Sequence, residues 1–351
     1  MSVTHLDEIR AQRGEKPDYK KADFSSDQEV RWCPGCGDYA ILASVQKLLS
    51  TLPVHKEDHV FISGIGCSSR FPYYMDTYGF HTIHGRAPAF ASGAKIQNPN
   101  LNVWIITGDG DSLSIGGNHL IHLLRRNFNV NLLLFNNRIY GLTKGQYSPT
   151  SEQGKKTKSS PMGSIDHPFN PMDVAIGAGA TFVARSFDID PKHLAATLRA
   201  AWEHKGASFV EIYQNCNIFN DKAFENVVNK SVRAETQVRL EAGKPMLYGA
   251  ENNKGLVVSR DGRITEAVIG ENGVTEDDIL VHNPAADNPG LALNLGRIRY
   301  PDGPEAFGVL RKIERPCYED QLIEQVMQAK EARKPDLNAA IHKGYTWTVE
   351  G

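Results

Sequence analysis

Two short strings hold the groups best suited to chemistry. Gly108-Asp109-Gly110 and Asn136-Asn137 each follow an apolar run, and twenty-five residues separate them. That interval accommodates one crossover helix and one strand, so both strings are expected at the same sheet edge. Magnesium takes about six oxygen ligands and is commonly shared with phosphates. The Asp109 carboxylate, the Asn137 side-chain oxygen and the backbone carbonyl of Ile139 would supply part of that shell. Two diphosphate oxygens and a water would complete it. Gly108 and Gly110 let backbone approach a diphosphate, and a helix expected over 114–127 adds its amide dipoles. A complete GxGxxG and a GxxxxGK[ST] are both missing, so nicotinamide and nucleoside-triphosphate chemistry lack their motifs.

The second set is sulfur. The cysteines are Cys33, Cys36, Cys67, Cys216 and Cys317, an odd number that argues against a disulfide framework. Cys33-Pro34-Gly35-Cys36 is a CxxC, which fits a zinc half-site, a redox dithiol or half of an iron–sulfur site. No strand precedes Cys33, unlike a thioredoxin-type dithiol, and Cys67 and Cys216 are single where zinc sites favour a second close pair. Four thiolates are what a 4Fe–4S cluster needs. Spacing alone leaves cluster, zinc and unrelated thiols open.

These groups need a frame. Residues 1–28 are polar and read as an N-terminal arm. From about 30 to 215 helices and strands alternate: helix 38–49 with Asp38 as its cap, strand 59–63, an Ala/Gly-rich helix 86–97, strand 103–107, strand 131–135, helix 191–204 capped by Asp190, and strand 208–213. This predicts an α/β fold with a mostly parallel sheet and helices on both faces. Ligands of such sheets sit at the carboxyl ends of strands, and Cys67, Asp109, Asn137 and Cys216 all follow strands. After 250 the pattern changes to a hairpin over 256–268 around Asp261-Gly262, a Pro/Asn/Gly-rich stretch and a helix 319–333. The expected division is arm 1–28, cofactor domain 29–249 and C-terminal extension 250–351.

GDG followed by NN at this distance resembles the thiamine diphosphate enzymes. Together with CPGCGD (33–38), GIGCSSR (64–70), HGRAPAFASGAK (84–95), FNNRIYGLTKGQ (135–146) and the single Cys216, it resembles the β subunit of the 2-oxoacid:ferredoxin oxidoreductases, nearest the 2-oxoglutarate type. The resemblance covers about 30–225 and assigns nothing to the extension. It implies thiamine diphosphate, Mg2+ on Asp109, Asn137 and Ile139, and one 4Fe–4S cluster on Cys33, Cys36, Cys67 and Cys216. Ile65, Gly66, Cys67, Ser68, Gly85, Arg86, Gly108, Gly110, Asp111, Gly141 and Leu142 are the implied diphosphate and thiamine contacts. Arg70, Lys144 and His84 are substrate-side candidates: two cations for a dicarboxylate and a proton carrier near neutral pH. Lys155, Lys156 and Lys158 read as a solvated loop that would also attract an acidic partner or CoA phosphates. Cys317 reads as a structural thiol.

The implied reaction is oxidative decarboxylation of 2-oxoglutarate with CoA to succinyl-CoA and CO2, electrons passing singly through the cluster to ferredoxin, or the reverse. Pyruvate, a branched-chain 2-oxoacid, or a cluster-free thiamine decarboxylase are the alternatives. The glutamate that activates thiamine is implied to come from an α subunit, so the chain is expected to work as (αβ)2 and to be inactive alone. The chain of 351 residues has 39 Lys and Arg against 41 Asp and Glu, a formal charge of −2, which disfavours nucleic-acid binding through a broad basic surface. No apolar run reaches a membrane span and the first residues lack a signal's apolar stretch, so a cytoplasmic location is expected.

Overall fold

A computed structural model of the chain describes residues 14–332 and 336–351. The first thirteen residues of the expected arm, and residue 333 at the end of the expected last helix, lie outside the described residues.

The strands are β1 (His59–Ser63), β2 (Tyr78–His81), β3 (Asn102–Gly108), β4 (Val130–Asn136), β5 (Phe182–Phe187), β6 (Ala207–Tyr213), β7 (Gln237–Leu240), β8 (Leu247–Tyr248), β9 (Lys254–Val258), β10 (Ile264–Val268) and β11 (Glu305–Lys312). Eight form one sheet in the order β2-β1-β3-β4-β6-β5-β11-β7. The six from β2 to β5 pair in parallel; β11 runs antiparallel to β5, and β7 is parallel to β11. Every residue of β1, β4, β5 and β6 is buried, as in a sheet covered on both faces, with the charges of Arg185 and Glu211 paired inside it.

Alternate residues feed two cores. Val103 and Ile105 of β3 join one with Ala87 and Ala91 of helix α2 (Ala87–Gln97) and Leu120, Leu123 and Leu124 of a later helix. Trp104 and Ile106 join the other with Ile41, Val45 and Leu49 of helix α1 (Asp38–Thr51) and Leu194 and Leu198 of the helix before β6. Asp190 caps that helix as expected, its carboxylate accepting from His193 N.

Three expectations change. Asp38 is the first residue of α1 rather than its cap; Gly37 holds the cap position and the Asp38 carboxyl turns inward, buried. The helix expected over 114–127 begins three residues later, as α4 (Gly117–Arg126), and a separate short helix, α3 (Asp109–Leu113), precedes it directly after Gly108. The helix end facing the Gly108 turn is therefore one residue beyond the strand. Third, β11, placed by sequence in the extension, is a strand of the main sheet. Two helices, α5 (Pro171–Gly177) and α6 (Pro191–Glu203), flank β5; two more, α7 (Gly290–Arg297) and α8 (Tyr318–Ala332), flank β11. The 254–268 hairpin forms as expected, and β8 pairs with its first strand.

Beneath the strand ends lies a buried charge network. Arg185 Nε donates to Glu211 at 2.7 Å with both side chains fully buried, and Asn136 Nδ2 donates to the other Glu211 oxygen at 2.7 Å. Arg299 and Tyr213 both donate to Glu305, at 3.2 and 2.5 Å. Groups on both sides of residue 250 thus share one polar cluster. Among the described residues no helix is long and apolar enough to cross a membrane.

Candidate active site

The carboxyl ends of β1, β3 and β4 surround a cleft of about 590 Å3, lined by Ile65, Gly66, Cys67, Ser68, His84, Gly108, Asp109, Gly110, Asp111, Asn137, Ile139, Gly141 and Leu142 among others. The volume suits a cofactor-sized ligand. Asp109 is buried at the start of α3 and accepts from the hydroxyls of Ser148 and Thr150. Burial pushes its carboxyl up to about 6. A carboxylate so placed calls for a cation, which would restore the ionised form. Asn137 Oδ1 accepts from Ile139 N at 3.1 Å, which folds the chain so that residues 137 and 139 face the same cleft. A carboxylate, an amide oxygen and a neighbouring backbone turn are the hard oxygen donors that magnesium prefers.

Tyr140 was not expected here. Its hydroxyl donates to the Gly110 carbonyl at 3.1 Å, and a Cβ at residue 110 would stand 2.1 Å from its ring. Glycine at 110 is therefore a packing requirement as well as a backbone approach. Asp111 is a hub more than a ligand. Its carboxylate accepts from Ile65 N at 3.0 Å, Gly85 N at 2.7 Å and Thr107 Oγ1 at 2.8 Å, and meets His84 Nδ1 at 2.8 Å. It thereby ties the loops after β1 and β2 to the turn after β3. Gly85 and Arg86 do not line the cleft: the Gly85 amide is spent on Asp111, and the Arg86 guanidinium meets His119.

A second cavity of about 240 Å3 opens beside the first and gathers Cys33, Cys36, Cys67 and Cys216, with Asp38, Arg70, Lys144 and Gln214. Cys67, Asn137, Gly141 and Leu142 belong to both walls. Gly141 passes close to the sulfurs: a Cβ there would lie 3.4 Å from Cys216 Sγ and 3.6 Å from Cys67 Sγ. Trp32 Nε1 donates to the Cys67 carbonyl at 2.6 Å, and Asn217 Nδ2 to the Pro34 carbonyl at 2.7 Å, so the CxxC loop is pinned to both distant cysteines. Burial, with Asp38 nearby, pushes the Cys36 thiol far up and the Cys67 thiol up to about 12. Redox-active dithiols show the opposite shift. Such thiols become thiolates only where positive charge is supplied, as by iron. Among the described residues no three His, Cys, Asp or Glu side chains converge as they would on a single metal ion. Four cysteine thiols around one cavity are the donor type of an iron–sulfur cluster, and the Asp109 carboxylate with the Asn137 amide oxygen is the donor type of magnesium.

Arg70 and Lys144 stand on the cysteine side. Arg70 Nε donates to the Tyr74 hydroxyl at 2.9 Å and its guanidinium lies over the Tyr73 ring. Lys144 is exposed on the strap that carries Gly141. Lys155 is held by Glu152 and by Asn220, beside the Cys216 loop. Cys317 is buried, far along the chain and outside both cavities, as a structural thiol should be.

Known proteins carry the same features. A family model for the C-terminal TPP binding domain of thiamine pyrophosphate enzymes matches residues 64–212. The chain is 52% identical, over 94% of its length and 89% of the relative's, to 2-oxoglutarate oxidoreductase subunit KorB of Mycobacterium tuberculosis. It is 48% identical to the β subunit of 2-oxoacid:ferredoxin oxidoreductase 1 of Aeropyrum pernix, over 57% of this chain and 63% of that one. Among solved structures it is similar to 2-oxoglutarate:ferredoxin oxidoreductase from Magnetococcus marinus with 2-oxoglutarate, coenzyme A and succinyl-CoA bound. The TM-score is 0.74 and the identity 32%, covering 95% of this chain and 98% of that one. Fold and cleft are thus those of a thiamine diphosphate enzyme. Within that class, the chain belongs to the β subunits of the 2-oxoacid:ferredoxin oxidoreductases.

Proposed function

We infer that the chain is the β subunit of a 2-oxoglutarate:ferredoxin oxidoreductase, converting 2-oxoglutarate and CoA to succinyl-CoA and CO2 with an α subunit as partner. The observation that carries this reading is the shared wall: Cys67, Asn137, Gly141 and Leu142 line both the cleft and the cysteine cavity. Relatives named for 2-oxoglutarate, and a solved neighbour with 2-oxoglutarate and succinyl-CoA bound, support the substrate.

Bound thiamine diphosphate supplies the carbon that accepts the electron pair left by CO2, and a bound 4Fe–4S cluster carries electrons one at a time. This chain's residues do the rest. Asp109, kept in place by Ser148 and Thr150, would hold Mg2+ with Asn137 and the Ile139 carbonyl. Gly108 and Gly110 leave room for the diphosphate, while Ile65, Gly66, Ser68 and Leu142 line the cleft. His84, oriented by Asp111, is placed to hold or pass a proton at Nε2 at the cleft wall. Lys144 and Arg70, both on the cysteine side of the shared wall, are the cations available to a substrate's carboxylates. Cys33, Cys36, Cys67 and Cys216 would hold the cluster, with Cys33, exposed, on its solvent side. The complex is (αβ)2 and cytoplasmic.

The test is iron, acid-labile sulfide and thiamine diphosphate content of the anaerobically purified αβ complex, with CoA-dependent ferredoxin reduction by 2-oxoglutarate. About four irons and four sulfides per chain are expected. Thiamine diphosphate without iron would overturn the cluster and the ferredoxin mechanism.

A further inference from the structure

We propose that Gln214 is a positioning residue that bridges the two sites, donating to the Cys36 sulfur while fixing the side-chain amide of Asn137. The proposal rests on the cluster reading above for its sulfur half. Gln214 is the residue directly after β6, two before Cys216, and its side chain is 1% exposed. Its backbone N–H donates to the Asn136 carbonyl at 2.9 Å, which clamps it to the end of β4.

Every polar atom of the side chain is used. Nε2 donates to the Asn215 carbonyl at 2.6 Å and to Cys36 Sγ at 3.3 Å; Oε1 accepts from Asn137 Nδ2 at 2.9 Å. The pattern has one orientation, because a flipped amide would set Oε1 against the Asn215 carbonyl and two N–H groups against each other. Gln214 and the Ile139 amide therefore together fix which way Asn137 points. With its nitrogen committed to Gln214, Asn137 keeps Oδ1 for the Ile139 amide and for a cation. Asn137 itself lines both cavities. Meanwhile an N–H aimed at a cysteine sulfur stabilises the more negative, reduced cluster and raises its potential. One buried amide thus sets a ligand's orientation on one side and a sulfur's charge on the other. Nothing in the sequence spacing flags it.

The two halves separate by substitution. In Gln214→Glu, kept protonated by burial, an oxygen still faces Asn137 Nδ2 and the O–H takes the Asn215 carbonyl, but no N–H reaches Cys36. In Gln214→Met both bonds go without an added charge. The experiment uses the anaerobic αβ complex, with three readouts: iron and sulfide content, the EPR-monitored midpoint potential, and the Mg2+ concentration needed for half-maximal thiamine diphosphate binding. Gln214→Glu should shift the potential negative and leave the Mg2+ requirement within about twofold. Gln214→Met should shift it negative and raise the Mg2+ requirement about tenfold or more, as lost support of a metal ligand does. A fully loaded Gln214→Glu cluster at the wild-type potential would overturn the sulfur half. An unchanged Mg2+ requirement in Gln214→Met would overturn the Asn137 half. Wild-type complex without iron and sulfide would instead overturn the cluster reading and remove the sulfur half with it, while the Mg2+ readout still decides the other.

Discussion

At residue 110 an extra methyl group has nowhere to go, since it would stand 2.1 Å from the Tyr140 ring. Gly110→Ala should therefore push Tyr140 off the cleft wall and weaken thiamine diphosphate binding about tenfold or more, at a cost of about 1–3 kcal/mol in stability from overpacking. Adding Tyr140→Leu should restore part of both losses, because the clash is between these two residues. Isothermal titration of the single and double variants checks this; additive losses would refute the contact. Asp109→Asn should behave differently. Burial raises the Asp109 carboxyl, so holding it ionised at pH 7.5 costs the apo fold, and a neutral amide removes that cost. Mg2+-dependent binding should be lost while the apo melting temperature at pH 7.5 is unchanged or higher. Asp109 and Asn137 were legible in the sequence because each ends an apolar strand. Ser148 and Thr150 were not: hydroxyls in a loop reach Asp109 only in three dimensions, and no periodicity announces them.

Among the elements, β1 and α6 carry the pH response. Burial lowers His59, His193 and His204 each to about 4. They fold neutral, whereas the unfolded chain protonates them below about 6.5. Their contribution is fully present above that pH and is lost as the pH falls toward 4. Asp38 and Asp109, pushed up by burial, shift stability the other way over an overlapping range, so the clean measurement is a difference. His59→Phe should gain on the wild type by about 1 kcal/mol per pH unit below 6.5, read by urea unfolding at pH 7 and pH 5.5. A constant offset would mean that His59 titrates normally. In the same layer, Arg185→Met should cost about 3–5 kcal/mol, because it strands Glu211 without its cation. β1, β3, β4 and β6 were readable as apolar runs, whereas the exposed, parallel β2 was not. β5 and β11 were not. Phe182–Phe187 contains Arg185, a charge that denies the strand its apolar signature until its partner on β6 is known. Glu305–Lys312 lies after a loop-like stretch, and its two partner strands, β5 and β7, both lie far back along the chain.

For the molecule as a whole, the boundary read at 250 is crossed by the sheet itself. A chain cut after residue 249 would lose β11 from between β5 and β7, and with it Glu305 and Arg299, the partners of Tyr213. Such a fragment should show no cooperative thermal transition by circular dichroism, although it keeps every proposed ligand; a sharp transition would show that the cofactor region folds alone. Composition could flag the change of character at 250 but not this insertion, because long-range pairing leaves no local mark. The wall held in common by the cleft and the cysteine cavity has a physiological side. Cys67 lines both, and Gly141 passes against Cys67 and Cys216, so a shift of those sulfurs is felt in the thiamine cleft. With the cluster proposed above, a cell short of iron would hold this subunit with a slackened grip on its thiamine. Mineral supply would govern how much of the vitamin is put to use.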